Sequence, residues 1–296
     1  TNTAFVNGAS AAGEYAYDVN GNLTKDLNKG IADIQYNVLN LPSTVSFSDG
    51  STITYTYGAD GTKLRTVHKI GSTTTTTDYC GNVIYENGTQ KLLLTEEGYI
   101  NLTGTQQYHY YLKDHQGNNR VVINQSGTVE ETNHYYPFGG VFGTAGNTQP
   151  YKYNGKEFDT KKGLNWYDYG ARHYDTALGR FTTNDRFAEK YYSMSPYQYG
   201  ANSPVVNIDV NGDSIRICTE TQSFGHTWIS VGEGSNMTVY SYGRYNGTNK
   251  GPDRSSNSLG NGSGVLLKLM GDEAKAYNDK KSSWWNVCIC SNRCGR

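Results

Sequence analysis

Proline is scarce in this chain, at 6 residues in 296, and no apolar run approaches the length of a membrane span. The second absence argues against a transmembrane helix, which needs about 20 consecutive apolar residues. Excess charge is also missing. The formal net charge is −1, so the basic footprint that nucleic-acid binding needs is absent. Cysteine is low and lopsided: Cys80 and Cys218 stand alone, while Cys288, Cys290 and Cys294 crowd the end of the sequence. An odd count so placed is not a disulfide framework. The C-x-C-x3-C tail also lacks the fourth partner and two-residue gap of a zinc site. We expect neither a metal nor a cofactor. Thr1 opens no basic-then-apolar signal segment, and we expect the chain to be a piece of a longer polypeptide.

Tyrosine and glycine are abundant, at 26 and 35 residues, although only 35% of the chain is hydrophobic. Tyrosine therefore supplies apolar area that Leu and Ile usually supply. A ring that buries one face and hydrates its hydroxyl suits strands in a wall. Much of this tyrosine lies in a phrase that returns about every twenty residues. It reads Tyr15-Ala16-Tyr17-Asp18-Val19-Asn20-Gly21-Asn22-Leu23, then in degenerate form Tyr36-Asn37-Val38-Leu39-Asn40-Leu41, then Tyr55-Thr56-Tyr57-Gly58-Ala59-Asp60-Gly61. Tyr79-Cys80-Gly81-Asn82 and Tyr110-Tyr111-Leu112-Lys113-Asp114-His115-Gln116-Gly117-Asn118 continue it. A fixed period of this size marks units that bury their faces only by stacking on neighbours. Segments such as Ser51–Tyr57 alternate with period two, as half-buried strands do. The Asn-Gly and Asp-Gly pairs after them accept the positive φ of tight turns. The spacing predicts tandem β-hairpins over residues 13–139, with a plain β-sandwich as the alternative.

From Tyr151 to Asp213 the texture changes. Tyr135-Tyr136-Pro137-Phe138-Gly139 leads into Tyr151–Asp159 and Gly163-Leu164-Asn165-Trp166-Tyr167-Asp168-Tyr169-Gly170-Ala171-Arg172-His173-Tyr174-Asp175. Gly179-Arg180-Phe181, Asp185 and Tyr197–Asp209 follow. These motifs resemble the rearrangement-hotspot (RHS) repeat-associated core, and the tyrosine phrases resemble the YD repeats of the same bacterial polymorphic toxins. The resemblance covers about residues 13–213. It implies a mainly β fold of tandem hairpins forming part of a spiralling β-shell, closed by the core, with a variable C-terminal toxin. It also implies a secreted or cell-surface protein delivered to target cells, a secretion-system component and a cognate immunity protein. A closed shell needs more hairpins than these, so we expect upstream RHS repeats of the same polypeptide to complete the open sheet. The expected divisions are 1–139 for repeats, 140–213 for core and 214–296 for a small α+β effector segment.

Asp175 and Asp185 flank the turn at Leu178-Gly179-Arg180. Two carboxylates brought close could share a proton and act as acid and base. In the family such aspartates are associated with self-cleavage at a downstream Asp-Pro-x-Gly-Leu. Here that region reads Asp209-Val210-Asn211-Gly212-Asp213, so Val210 and Asp213 replace the Pro and the Leu. The competing reading gives both aspartates to turns and backbone hydrogen bonds, with Arg172 and Arg180 as their partners.

After Asp213 the phrase stops. Ser214–Cys218, Gly225–Gly232, Met237–Gly243 and Val265–Leu269 read as strands, and Asp272 is a plausible N-cap for a helix over 272–277. His226, in Gly225-His226-Thr227-Trp228-Ile229-Ser230, is the best catalytic candidate. That run resembles the histidine strand of permuted papain-like (NlpC/P60-type) hydrolases, where a cysteine thiolate pairs with the imidazole. No cysteine here has the expected placement, and a truncated tail is the expectation. Three function classes stay open: an encapsulating toxin shell, a Cys/His hydrolase effector, and an adhesive or carbohydrate-binding β-protein.

Overall fold

A computed structural model of the chain describes residues 5, 8–9, 12–190 and 192–213, the strand segments 216–219, 227–231, 238–243 and 265–270, and residue 272. The chain divides into two units, one of residues 1–185 with 196–206 and one of residues 186–195 with 207–296.

The first unit is built on one antiparallel sheet whose strands lie in chain order. They are β1 (Tyr15–Tyr17), β2 (Leu23–Asp26), β3 (Ile31–Tyr36), β4 (Pro42–Phe47), β5 (Thr52–Tyr57), β6 (Lys63–Ile70) and β7 (Thr73–Cys80). The sheet continues through β8 (Val83–Glu86), β9 (Thr89–Leu94), β10 (Gly98–Asn101), β11 (Gln107–Lys113), β12 (Asn119–Asn124), β13 (Val129–Tyr135) and β14 (Val141–Ala145). Every neighbour pair is a hairpin, as the repeats predict, and β1 and β14 are the edges.

Several of the turns share one design. Asp18 Oδ1 accepts from Asn20 N and Asn22 N at 2.9 and 2.8 Å, while Gly21 N donates to Asp18 O. Asp114 does the same with Gln116 N and Asn118 N, and Asn124 with Ser126 N and Thr128 N. The residue donating to the first carbonyl has left-handed φ, +78° at Gly21 and +76° at Gly117, a conformation glycine adopts without steric cost. So Asn20-Gly21 sits inside a longer loop organised by the Asx side chain before it, whereas Asn87-Gly88, with φ of +51° and +80° between the paired Glu86 and Thr89, is a two-residue turn.

Alternation then sorts the faces. In β5, Ile53 and Tyr55 are buried while Thr52, Thr54 and Thr56 point the other way. Leu23, Ile31, Ile34, Val45, Phe47 and Ile53 form one cluster with Leu164 and Trp166 from beyond the hairpins. Ile84, Leu92, Tyr99 and Val122 form another. Fully burying one such side chain stabilises the fold by about 1.5–3 kcal/mol.

A smaller antiparallel sheet follows, in chain order: β15 (Glu157–Asp159), β16 (Trp166–Asp168), β17 (His173–Asp175) and β18 (Arg180–Phe181). Its tyrosines depart from the expectation of a hydrated hydroxyl. Tyr153, Tyr167 and Tyr174 are buried and donate to the carbonyls of Pro137, Gly139 and Phe138, at 2.9, 3.3 and 2.9 Å. Tyr169 and Tyr199 both donate to Asn154 Oδ1 at 2.6 Å. The Pro137-Phe138-Gly139 motif is thus a row of acceptors for three core rings.

In the second unit, β19 (Arg216–Thr219), β20 (Thr227–Val231), β21 (Thr238–Gly243) and β22 (Val265–Met270) form an antiparallel sheet in chain order. These strands overlap the segments read as strands from sequence, with β19 and β22 each running one residue past the expected end. His226, residues 273–277 of the expected helix, and Cys288, Cys290 and Cys294 lie outside the described residues.

Candidate functional site

The chemistry-bearing side chains of the first unit gather where β15–β17 face the hairpin sheet. β17 presents Asp175, which is fully buried. Its Oδ2 accepts from Lys29 Nζ at 2.6 Å and from Trp166 Nε1 at 3.1 Å, and its Oδ1 from Ala177 N at 2.9 Å. Lys29 comes from the 3₁₀ turn after β2, whose N-cap Asp26 accepts from Asn28 N and Lys29 N. A second Lys29 bond, to Leu164 O at 2.7 Å, completes the clamp.

Next to it, Lys63 of β6 sits between two carboxylates, Glu157 of β15 at 2.7 Å and Asp168 of β16 at 2.6 Å. Burial alone would raise the Asp168 carboxyl, but Lys63 and then His173 outweigh it and hold it well below the usual carboxylate range. Lys63 is likewise penalised by burial, yet its two acids push it well above an ordinary lysine. Tyr79 adds a hydroxyl bond to Glu157 at 2.8 Å. His68 of β6 meets Asp159 at 2.8 Å, and His173 Nε2 meets the Tyr57 hydroxyl at 3.2 Å. Burial lowers the His173 imidazole, with Asp168 opposing in part. A cavity of about 230 Å³ opens here, lined by Tyr55, Lys63, His68, Glu157, Asp159 and Asp168 among others.

Another buried hub lies at Glu131 of β13. It accepts from Lys152 Nζ, Asn133 Nδ2, Gln149 Nε2 and both Thr148 donors. Glu131 would be raised by burial, but Lys152 keeps it low. An unpaired ion at such depth would be strongly destabilising, so these carboxylates hold strands together.

The sequence-predicted residues have the following partners. Asp175 is committed to Lys29 and Trp166, a lysine partner that the sequence reading did not name. Asp185 takes Arg172 at 3.1 Å, as one reading expected, and Arg172 also donates to Pro196 O and lies 3.8 Å over the Phe181 ring. Arg180 instead pairs with Asp175 through the strand register alone. Asp209, Gly212 and Asp213 belong to the second unit, where Asp209 Oδ1 accepts from Asn211 N and Gly212 N. Lys29, Lys63, Glu131 and Lys152 were missed. Their only sequence signal is charge inside an apolar or tyrosine-rich strand context. Among the described residues no group of three or more His, Cys, Asp and Glu is placed to hold a metal ion, and no helix is long and apolar enough to cross a membrane.

No protein-family model matches the chain, and no curated protein matches it. Solved structures do. The TcdB2-TccC3-Cdc42 complex is 20% identical with a TM-score of 0.56, over 67% of this chain and 11% of that one. TcdB2-TccC3 without its hypervariable C-terminal region is 19% identical with a TM-score of 0.56, over 66% and 11%. A Photorhabdus luminescens Tc holotoxin pore is 19% identical with a TM-score of 0.56, over 66% and 10%. This chain therefore spans about a tenth of the length of the chains it matches. The likeness is one of fold.

Proposed function

We propose that this chain is the C-terminal part of an RHS-type polymorphic toxin, whose repeats and core enclose and present an effector used against competing cells. Residues 1–139 are the repeats, 140–213 the core and 214–296 the effector segment. Upstream repeats extend the sheet beyond β1, and a secretion-system component and an immunity protein are its partners. The observation that carries this reading is the unbroken chain-order sheet of hairpins with a second sheet clipped to it by buried ion pairs. The likeness to TcdB2-TccC3, a complex with a hypervariable C-terminal region, supports it. Asp175 and Asp185 serve in this reading as clamps of the core.

The test is expression of residues 214–296, with their natural continuation, in a bacterial cytoplasm and periplasm. Growth arrest in either compartment is expected, relieved when the same segment is carried by the whole protein. Unimpaired growth in both sinks the effector assignment. N-terminal sequencing of the purified whole protein checks for scission near Ser214. A new terminus lost in Asp175→Asn or Asp185→Asn would return the aspartates to a catalytic role.

One observation favours the adhesive reading. Tyr108, Tyr110 and Leu112 alternate along β11 and are 52%, 42% and 50% exposed, and the two neighbouring rings are of the kind that stacks on sugars. Saturable glycan-array binding that is lost in Tyr108→Ser/Tyr110→Ser would support it.

A further inference from the structure

The short segment from Asp209 to Asp213 holds an arrangement that the toxin reading does not use. Asn211 is exposed and is followed by Gly212, whose φ is +78°. An Asn-Gly bond is open to attack by the glycine nitrogen on the asparagine side chain, because glycine has no Cβ in the way. Here the nitrogen already has a base. Gly212 N donates to Asp209 Oδ1 at 2.6 Å, and Asp209 is only 7% exposed. The electrophile has a donor: Asp213 N donates to Asn211 Oδ1 at 3.2 Å, where negative charge would develop. Asp213 is in turn tied to Arg186.

We propose that Asn211-Gly212 is a self-modification site with Asp209 as general base. Asp209 takes the Gly212 N–H proton as that nitrogen bonds to Asn211 Cγ. The Cγ–Nδ2 bond breaks, and the nitrogen leaves as ammonia with the proton returned from Asp209. The product is a cyclic imide across residues 211 and 212. Water opens the imide at Cγ to aspartate, or at the backbone carbonyl to isoaspartate. The second product adds a methylene to the main chain just before the C-terminal segment.

Other Asn-Gly pairs are built differently. Gly21 N and Gly155 N donate to the main-chain carbonyls of Asp18 and Lys152, which cannot take a proton. The Asn154 side chain is held by Tyr169 and Tyr199. At Asn87-Gly88 the side-chain oxygen accepts from Thr76 N at 2.9 Å, and this pair serves as the internal comparison.

The experiment incubates the full chain at neutral pH and maps isoaspartate at each Asn-Gly pair by isoaspartyl-specific methylation of peptides. Asn211 is expected to convert faster than Asn87, with a flatter pH profile because its base is in place. Asp209→Asn should slow conversion at Asn211 by about 10²-fold while Asn87 is unchanged and the melting curve is retained. Asp213→Pro deletes the N–H donor together with the carboxylate on Arg186 and should slow it by about 10²-fold as well, whereas Asp213→Ala, which keeps the N–H, should not. Conversion at Asn211 no faster than at Asn87 overturns the proposal. So does an unchanged rate in both Asp209→Asn and Asp213→Pro, or a parallel change at Asn87.

Discussion

The hairpin sheet and the core sheet spend the same residue type differently. On β11, Tyr108 and Tyr110 turn outward and are about half exposed. In the core, Tyr153, Tyr167, Tyr169, Tyr174 and Tyr199 are buried, each with its hydroxyl on a named acceptor. A buried hydroxyl without a partner would cost roughly 1–3 kcal/mol, so each core ring is fixed in place by its acceptor as well as by packing. Away from the Glu131 hub, the hairpin sheet draws its order from turns and alternation. The core draws its order from polar bonds made at depth.

That contrast is broken most forcefully at Lys63. Lys63→Met leaves Glu157 and Asp168 half-buried together without their cation, and should destabilise the first unit by about 3 kcal/mol, the low end for a broken buried pair. Arg65, on the same strand but exposed and paired with Asp78, is the control. Arg65→Ala should leave the midpoint of a urea titration nearly where it was. Comparable losses from the two would end the distinction between depth and surface.

Smaller effects are expected where a turn is disarmed. Asp114→Ala removes the acceptor for Gln116 N and Asn118 N and should cost about 1–2 kcal/mol, like loss of a cap. The same loss is expected at Asp18, because the two turns share one design.

His173 gives the comparison a pH axis. Burial holds its folded value below the unfolded value of about 6.5. The unfolded chain therefore binds the proton first, and stability falls as pH drops below that value toward the folded one. Asp168, held low by Lys63 against its burial, adds stability that is present above about pH 3.9 and lost at more acid pH. His173→Asn should flatten the first arm of the melting-temperature profile and leave the second. An unchanged first arm would remove His173 from the account.

Much of the hairpin sheet was legible because its signals are local. Ser51–Tyr57 alternates, and the Asx-led loops repeat within a few residues of themselves. The turn chemistry was misjudged for the same reason. Asn20-Gly21 caught attention, while Asp18, which organises the loop, looked like an ordinary neighbour. The clamps were not legible. Lys29 and Asp175 are far apart in sequence, as are Lys63 and Glu157, and nothing near Lys63 marks it as half-buried. Asp185 takes Arg172, a neighbour within the same motif, whereas Asp175 takes Lys29 from far along the chain.

The smallest predicted effect is also the cleanest measure of how the two regions differ. Tyr174→Phe removes one oxygen and leaves the Phe138 carbonyl without its donor inside the core. About 1 kcal/mol should be lost. Tyr110→Phe removes the same oxygen from an exposed ring, and the change should stay within about 0.5 kcal/mol of zero. Because the substitution is identical, ring packing and chain entropy largely cancel between the pair, and the difference isolates the buried hydroxyl. Equal effects would mean that the acceptor row at Pro137–Gly139 does not fix the core, whose tyrosines would then serve only as large apolar rings.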